Sequence, residues 1–234
     1  MSTIRAIQAL LLASTLAAAS ALAATNPIDE ISTADGLTKI NVKGYDLAYV
    51  RKGESIAPYT KIMLDPVEVA FHKNWDPTRP GSHLKLGKNE RESIRTGVGK
   101  VVQEEFENTL KGSYQLTSEP GPDVMRVRAK VLNLIANAPD TRQAGVHTLT
   151  LSSGEMTLLM EVYDSETGAI LARVVDRREG RNTGQWQVSN SVSSTGDAKA
   201  IAGRWAKILR DGLDKARGNP EAGKAKPDAG KAKK

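Results

Sequence analysis

Val124-Met125-Arg126-Val127-Arg128-Ala129-Lys130-Val131 is the stretch on which the fold turns. Met125, Val127, Ala129 and Val131 alternate with Arg126, Arg128 and Lys130. A period of two puts the apolar set on one face of a strand and the basic set on the other. The pattern returns downstream in Met156, Leu158, Met160 and Val162. Asp164-Ser165-Glu166-Thr167-Gly168 then supplies turn chemistry, with Gly168 free to take a positive φ. Ile170 to Val175 reads as a third strand, so the three segments predict an antiparallel meander.

The flanking segments supply the helices. Tyr59 to Phe71 reads as one buried strand, with Pro66 marking an edge or a bulge because it cannot donate to a ladder. His72 to Gly87 is a loop punctuated by Pro77, Pro80 and Gly81. A helix is expected from Asn89 as N-cap, with Glu90 and Glu92 in its first turn. Ile94, Val98, Val101, Val102 and Phe106 fall on one face of it, and Gly112 is the natural stop. Gly97 and Gly99 weaken that helix by about 1 kcal/mol each relative to alanine, and glycine there would permit close approach to a sheet. A polar loop spans Asn137 to Ser153. The last helix is capped by Ser194, Thr195 or Asp197 and carries an apolar stripe of Ile201, Ala202, Trp205, Ile208, Leu209 and Leu213. Arg204, Lys207, Arg210, Asp211 and Asp214 are expected to face water. This order predicts an α+β fold, a two-layer sandwich of a mainly antiparallel sheet with two helices packed on one face.

The ends of the chain read differently. Met1 to Arg5 is basic, Ala6 to Ala19 is apolar, and Ala21-Leu22-Ala23 offers small residues for cleavage before Ala24. That is the layout of a cleavable signal peptide over residues 1–23, and the apolar run falls short of the roughly 20 residues a membrane helix needs. Residues 24–39 are expected to be a flexible lead-in, 40–217 a single domain, and 218–234 a disordered tail. The tail holds two copies of Ala-Gly-Lys-Ala-Lys, at 222–226 and 229–233, with nothing apolar to bury. Of the net charge of +6, Arg5 carries one and Gly218 to Lys234 carry three, which leaves +2 on the folded part. With aromatics at only 4%, nucleic acid is not the expected partner. The chain has no cysteine, which excludes disulfides, thiolate sites and a lipidated N-terminal cysteine.

Several segments carry a resemblance. Ser118-Glu119-Pro120-Gly121-Pro122-Asp123-Val124, Gly154-Glu155-Met156-Thr157-Leu158 through the 164–168 turn to Arg173-Val174-Val175-Asp176-Arg177-Arg178, Leu64-Asp65-Pro66-Val67-Glu68-Val69 with Phe71 and Trp75, and Trp205-Ala206 with Leu209 are similar to the bacterial domain of unknown function 3313 family. The resemblance covers about Gly36 to Arg217 in matching order. It implies an envelope protein, many members being lipoproteins, but it transfers no catalytic residue. The missing cysteine departs from the lipoprotein pattern, which makes free periplasmic residence the expectation.

No catalytic, cofactor or metal residue emerges from the sequence. His72, Asp76 and His83, with His147 elsewhere, could hold a divalent ion, yet their spacing matches no familiar motif. Asp65 and Glu68 could act as an acid–base pair, but a continuous strand would put them on opposite faces. Gly97-Val98-Gly99-Lys100 is a fragment of a phosphate loop inside a helix pattern. The Arg126, Arg128 and Lys130 stripe would suit an acidic partner, or would pair with Glu155 and Glu161 on the next strand. The function expected is that of a non-enzymatic periplasmic accessory or binding protein, whose partner is an envelope protein or an anionic envelope polymer. The alternatives are a metal-dependent enzyme or binder using the 72–83 loop, and a polyanion binder acting through the lysine tail.

Overall fold

The structure is a computed structural model that describes residues 27–77, 85–136, 148–150, 154–180, 187–189 and 191–218. The leader over 1–23, the tail beyond Gly218, His83 and His147 lie outside the described residues.

The meander forms as the alternation requires. β6 (Val124–Ala136), β8 (Gly154–Asp164) and β9 (Ile170–Glu179) pair antiparallel, with Val127 opposite Val162 and Met160 opposite Val174. Asp164 accepts from the backbone N–H groups of Glu166 and Thr167 at 3.1 and 2.7 Å, and Gly168 closes the turn at φ +69°. β9 pairs with β2 (Leu47–Arg51), which pairs with β1 (Leu37–Ile40).

On the other side of β6 the sheet becomes parallel. Instead of one strand over Tyr59 to Phe71 there are two, β3 (Lys61–Leu64) and β4 (Glu68–Phe71), both parallel to β6. Leu64 lies opposite Val127 and Glu68 opposite Lys130, so the segment around Pro66 spends one residue more than its partner. That extra residue is the bulge Pro66 announced, and it turns Asp65 and Glu68 to the same face rather than opposite ones. The short β5 (Gln115–Leu116) extends the sheet beside β3. Within the segment expected to be loop, β7 (Thr148–Thr150) pairs with β10 (Gln187–Ser189) as a separate ribbon.

The buried side of the sheet is covered by α2 (Lys88–Leu110) and α3 (Ser191–Ala216), which pack on each other. α2 starts one residue before Asn89: Gly87 is the N-cap, and the Glu90 carboxylate accepts from the Gly87 N–H at 2.7 Å. Its burial deepens along its length, with Val102, Phe106 and Leu110 closed from solvent while Ile94 and Val98 stay half-buried. α3 contributes Ala202, Trp205, Ala206, Leu209 and Leu213 to the same core. Asp214 does not face water as its helical position suggested. It is buried, and the Tyr114 hydroxyl donates to it at 2.8 Å.

Residues 27–39 are not a loose lead-in. β1 is the edge strand of the sheet, and α1 (Pro27–Ala34) lies on the face opposite the two long helices, where Ile28 packs with Leu37, Tyr49 and Ile170. Polar contacts fix the segment. Tyr49 donates to Asp29 at 2.6 Å, and the buried Arg173 donates to Ser32 and Asp35 at 3.2 and 2.7 Å. The folded unit therefore begins ahead of residue 40.

Candidate binding cleft

Beyond Val131 the strict alternation of β6 would place Asn133 in the core. Asn133 instead takes φ 52° and is exposed, while Leu134 is buried. The register against β8 slips by one residue here, between Leu132 and Ile135. A bulge of this kind re-aims every later side chain, and asparagine tolerates the left-handed conformation it needs. Leu134 thereby joins the helix side, and the last residues of β6 form the floor of a cleft.

The cleft measures about 350 Å³. Ile94, Gly97, Val98 and Val101 of α2 form one wall, and Ala198 and Ile201 of α3 the other, over Leu134 and Met156. It opens where α2 is least buried, so the shallow N-terminal half of that helix is what leaves room. Trp75 braces the floor by donating from its indole to the Ala136 carbonyl at 2.8 Å, and it stacks on Phe71 with ring centres 4.2 Å apart. Asp197, buried on α3, contributes a carboxylate. Glu155 also borders the cleft, but its carboxylate is taken by Arg177, whose Nε donates at 2.6 Å. That bond holds the Glu155 carboxyl below its usual range.

The opposite face of the sheet is a lattice of ion pairs. Arg126 and Arg128 both donate to Asp65, at 2.8 and 3.1 Å, and Lys130 reaches Glu68 at 3.0 Å. The expected partners are otherwise engaged, since Glu161 pairs with Arg173 at 2.7 Å and Glu155 with Arg177. Burial works against the Asp65 anion, but the two arginine hydrogen bonds outweigh it and lower its pKa. Each cation of the basic stripe is thus paired with an acid of the same chain, Arg126 and Arg128 sharing the one carboxylate of Asp65.

Among the described residues no group of three or more metal-binding side chains comes together. Asp76 is bound by Lys85 and by Arg91, the latter at 2.7 Å, and His72 Nδ1 accepts from the Asn74 N–H at 3.2 Å. The phosphate-loop fragment divides into two different glycines. A Cβ on Gly99 would lie in ordinary contact with the sheet, 3.4 Å from Val69 and 3.5 Å from the Val67 carbonyl, whereas one on Gly97 would meet nothing within 4 Å.

The model of the family described as "Protein of unknown function (DUF3313)" matches residues 31–209. The chain belongs to the DUF3313 family. No curated protein matches it. Among solved structures, it is similar to protein XCC0632 of the DUF330 family from Xanthomonas campestris, at 7% identity and a TM-score of 0.39 over 70% of this chain and 89% of that one. A PelC dodecamer from Paraburkholderia phytofirmans aligns at 10% identity and 0.33, over 67% and 96%. A DUF4136 family protein from Bacteroides thetaiotaomicron aligns at 9% and 0.30, over 76% and 97%. Likenesses this distant say nothing of what a DUF3313 chain does.

The residues that carry the DUF3313 resemblance have structural work in this chain. Asp65 anchors two arginines, and Asp164 builds the β8–β9 turn. Asp176, closed from solvent on the helix side of β9, accepts from the Trp205 indole and the Arg178 Nε, both at 2.6 Å, and from the Asp46 N–H at 3.2 Å. A buried carboxylate with that many donors is satisfied. Tyr45, which donates to the Trp205 carbonyl at 3.1 Å, has its pKa raised by burial and by the Asp176 charge. The sequence displayed Asp176 and Trp205 separately; only the packing of α3 on β9 makes them a pair.

Proposed function

We propose that this DUF3313 chain is an exported, non-enzymatic accessory protein of the bacterial cell envelope, which binds a partner component in the cleft between α2 and α3. The observation that carries the reading is the contrast between the two sides of the sheet. On the α1 side Arg126, Arg128, Lys130, Arg173 and Arg177 are neutralised by acids of the same chain, which leaves little charge to recruit a partner. On the helix side an aliphatic cleft of 350 Å³ remains, within the range of about 300–1,000 Å³ typical of ligand sites.

Binding suits the cleft better than catalysis. Its walls are mainly aliphatic, and Glu155 is held ionised by Arg177, which removes it as a proton donor near neutral pH. Export is supported by the basic start, the apolar run and the Ala21-Leu22-Ala23 site ahead of Ala24. Fractionation of expressing cells with N-terminal sequencing tests the address. The expected result is periplasmic protein beginning at Ala24. Cytosolic protein that retains Met1 and its leader would overturn the reading.

A further inference from the structure

We propose that the solvent face of α3 is a docking surface for a bilayer of anionic phospholipid, extended by the lysines beyond Gly218. None of its residues lines the cleft, so a membrane contact and a cleft ligand are independent of each other.

Charge pairing sets α3 apart from its neighbour. On α2, Arg91 is bound to Asp76, Arg95 to Glu92 and Lys100 to Glu104. On α3, Arg204, Lys207 and Lys215 are exposed on the side turned away from the buried Trp205 and Leu209. Asp211 lies among them and is shared by Lys207 and Arg210. Among the described residues no acid pairs with Arg204 or Lys215. Lys43 is exposed and unpaired as well, and the next residue, Gly44, sits against Ile208 of the same helix. The stretches outside the described residues bring no net negative charge to offset these cations. Residues 78–84, 137–147 and 181–186 hold Asp140 against Arg79, Arg142 and Arg181, and 219–234 hold five lysines against Glu221 and Asp228.

The shape of the patch points to its partner. Arg204 to Lys215 spans about 17 Å of helix axis, and the three cations stand on a convex ridge, not around a pocket. A ridge cannot enclose a single anion, but it presents all of its cations to one plane, which is what a bilayer of phosphate headgroups offers. Each lysine or arginine held near such a surface strengthens binding about fivefold, and salt screens the attraction. The chain leaves α3 just past Lys215, so the tail lysines are tethered beside the ridge.

The test is co-sedimentation of the purified mature chain with lipid vesicles. The chain should bind vesicles of phosphatidylglycerol mixed with phosphatidylcholine, should ignore phosphatidylcholine alone, and should be released by about 0.5 M salt. Arg204→Glu combined with Lys215→Glu changes two exposed, unpaired positions, so it should melt like the wild type and bind at least about tenfold more weakly. Lys73→Glu combined with Lys88→Glu makes the same change in net charge near the start of α2, at lysines that are also exposed and unpaired, and should keep most of the binding. Deleting 219–234 should weaken binding and leave a remainder that the Arg204 and Lys215 changes remove. Equal losses in the two double variants, or a tail deletion that abolishes binding outright, would overturn the α3 surface. A chain that ignores the anionic vesicles, or that sediments only with isolated peptidoglycan, would overturn the bilayer as partner. Either failure leaves the cleft reading to its own tests.

Discussion

The indole of Trp205 donates to the carboxylate of Asp176 across 2.6 Å, tying α3 to β9 between two side chains that are both closed from solvent. Arg178 and the Asp46 N–H complete the acid's partners. Asp176→Ala takes the acceptor from all three, leaving Arg178 the Gly44 carbonyl at 2.8 Å, and the loss of the carboxylate beside a mostly buried guanidinium costs about 3 kcal/mol. Trp205→Phe keeps most of the apolar contact but orphans one lone pair, for about 1–3 kcal/mol. Urea unfolding followed by circular dichroism should show both losses with similar slopes.

Acid should act through Asp65. Its pKa in the folded chain is lowered, so the stability it adds is fully present above the ordinary aspartate range and fades as the pH falls through the folded value. Asp65→Asn should therefore cost about 1 kcal/mol at neutral pH, the size expected of half-exposed pairs. The two stability curves should converge below about pH 4. Curves that stay parallel across that window would assign the cost to something other than the charge.

The floor of the cleft depends on two unusual backbone positions. Asn133 sits at φ 52°, so Asn133→Gly should be nearly neutral, while Asn133→Val should lose about 1–3 kcal/mol of stability. Gly154 is less forgiving. It lies at φ +135°, and a Cβ there would come within 2.3 Å of the Ile135 carbonyl oxygen. Gly154→Ala should therefore cost more than the strain figure alone, and thermal melts of the three variants would rank them.

Removing metal should change nothing. Asp76 is already committed to Lys85 and Arg91. Chelator should leave the melting temperature unshifted, and elemental analysis should find no stoichiometric ion. A bound metal whose removal lowers the melting temperature would revive the 72–83 loop as a site.

The meander was legible because both of its faces carry information: Met125 to Val131 alternates aliphatic with cationic, and one register satisfies both. The direction of β3 and β4 was not, because parallel pairing with β6 is set by the crossover through α2 and leaves no local pattern. α1 escaped for a different reason. Its contribution is to supply Asp29 to Tyr49, 20 residues away, and Ser32 and Asp35 to Arg173, 141 and 138 residues away, and polar pairings of this kind leave no periodicity to find. Asp214 was misplaced in the same way, since its partner Tyr114 is remote in sequence. Of the cleft, the sequence showed Gly97 as an oddity in a helix. Which glycine of that helix touches the sheet was decided only by the packing: Gly99 lies against Val67 and Val69, while Gly97 is exposed.

Photo-crosslinking in intact cells asks most directly whether the cleft is where this protein meets its partner. A photoreactive residue in place of Ile94 reports from the cleft, and one in place of Thr157 reports from the charged face of β8. Mass spectrometry should find an adduct on the peptide bearing position 94 and none at 157. Adducts at 157 alone would place binding on the open sheet and contradict the cleft.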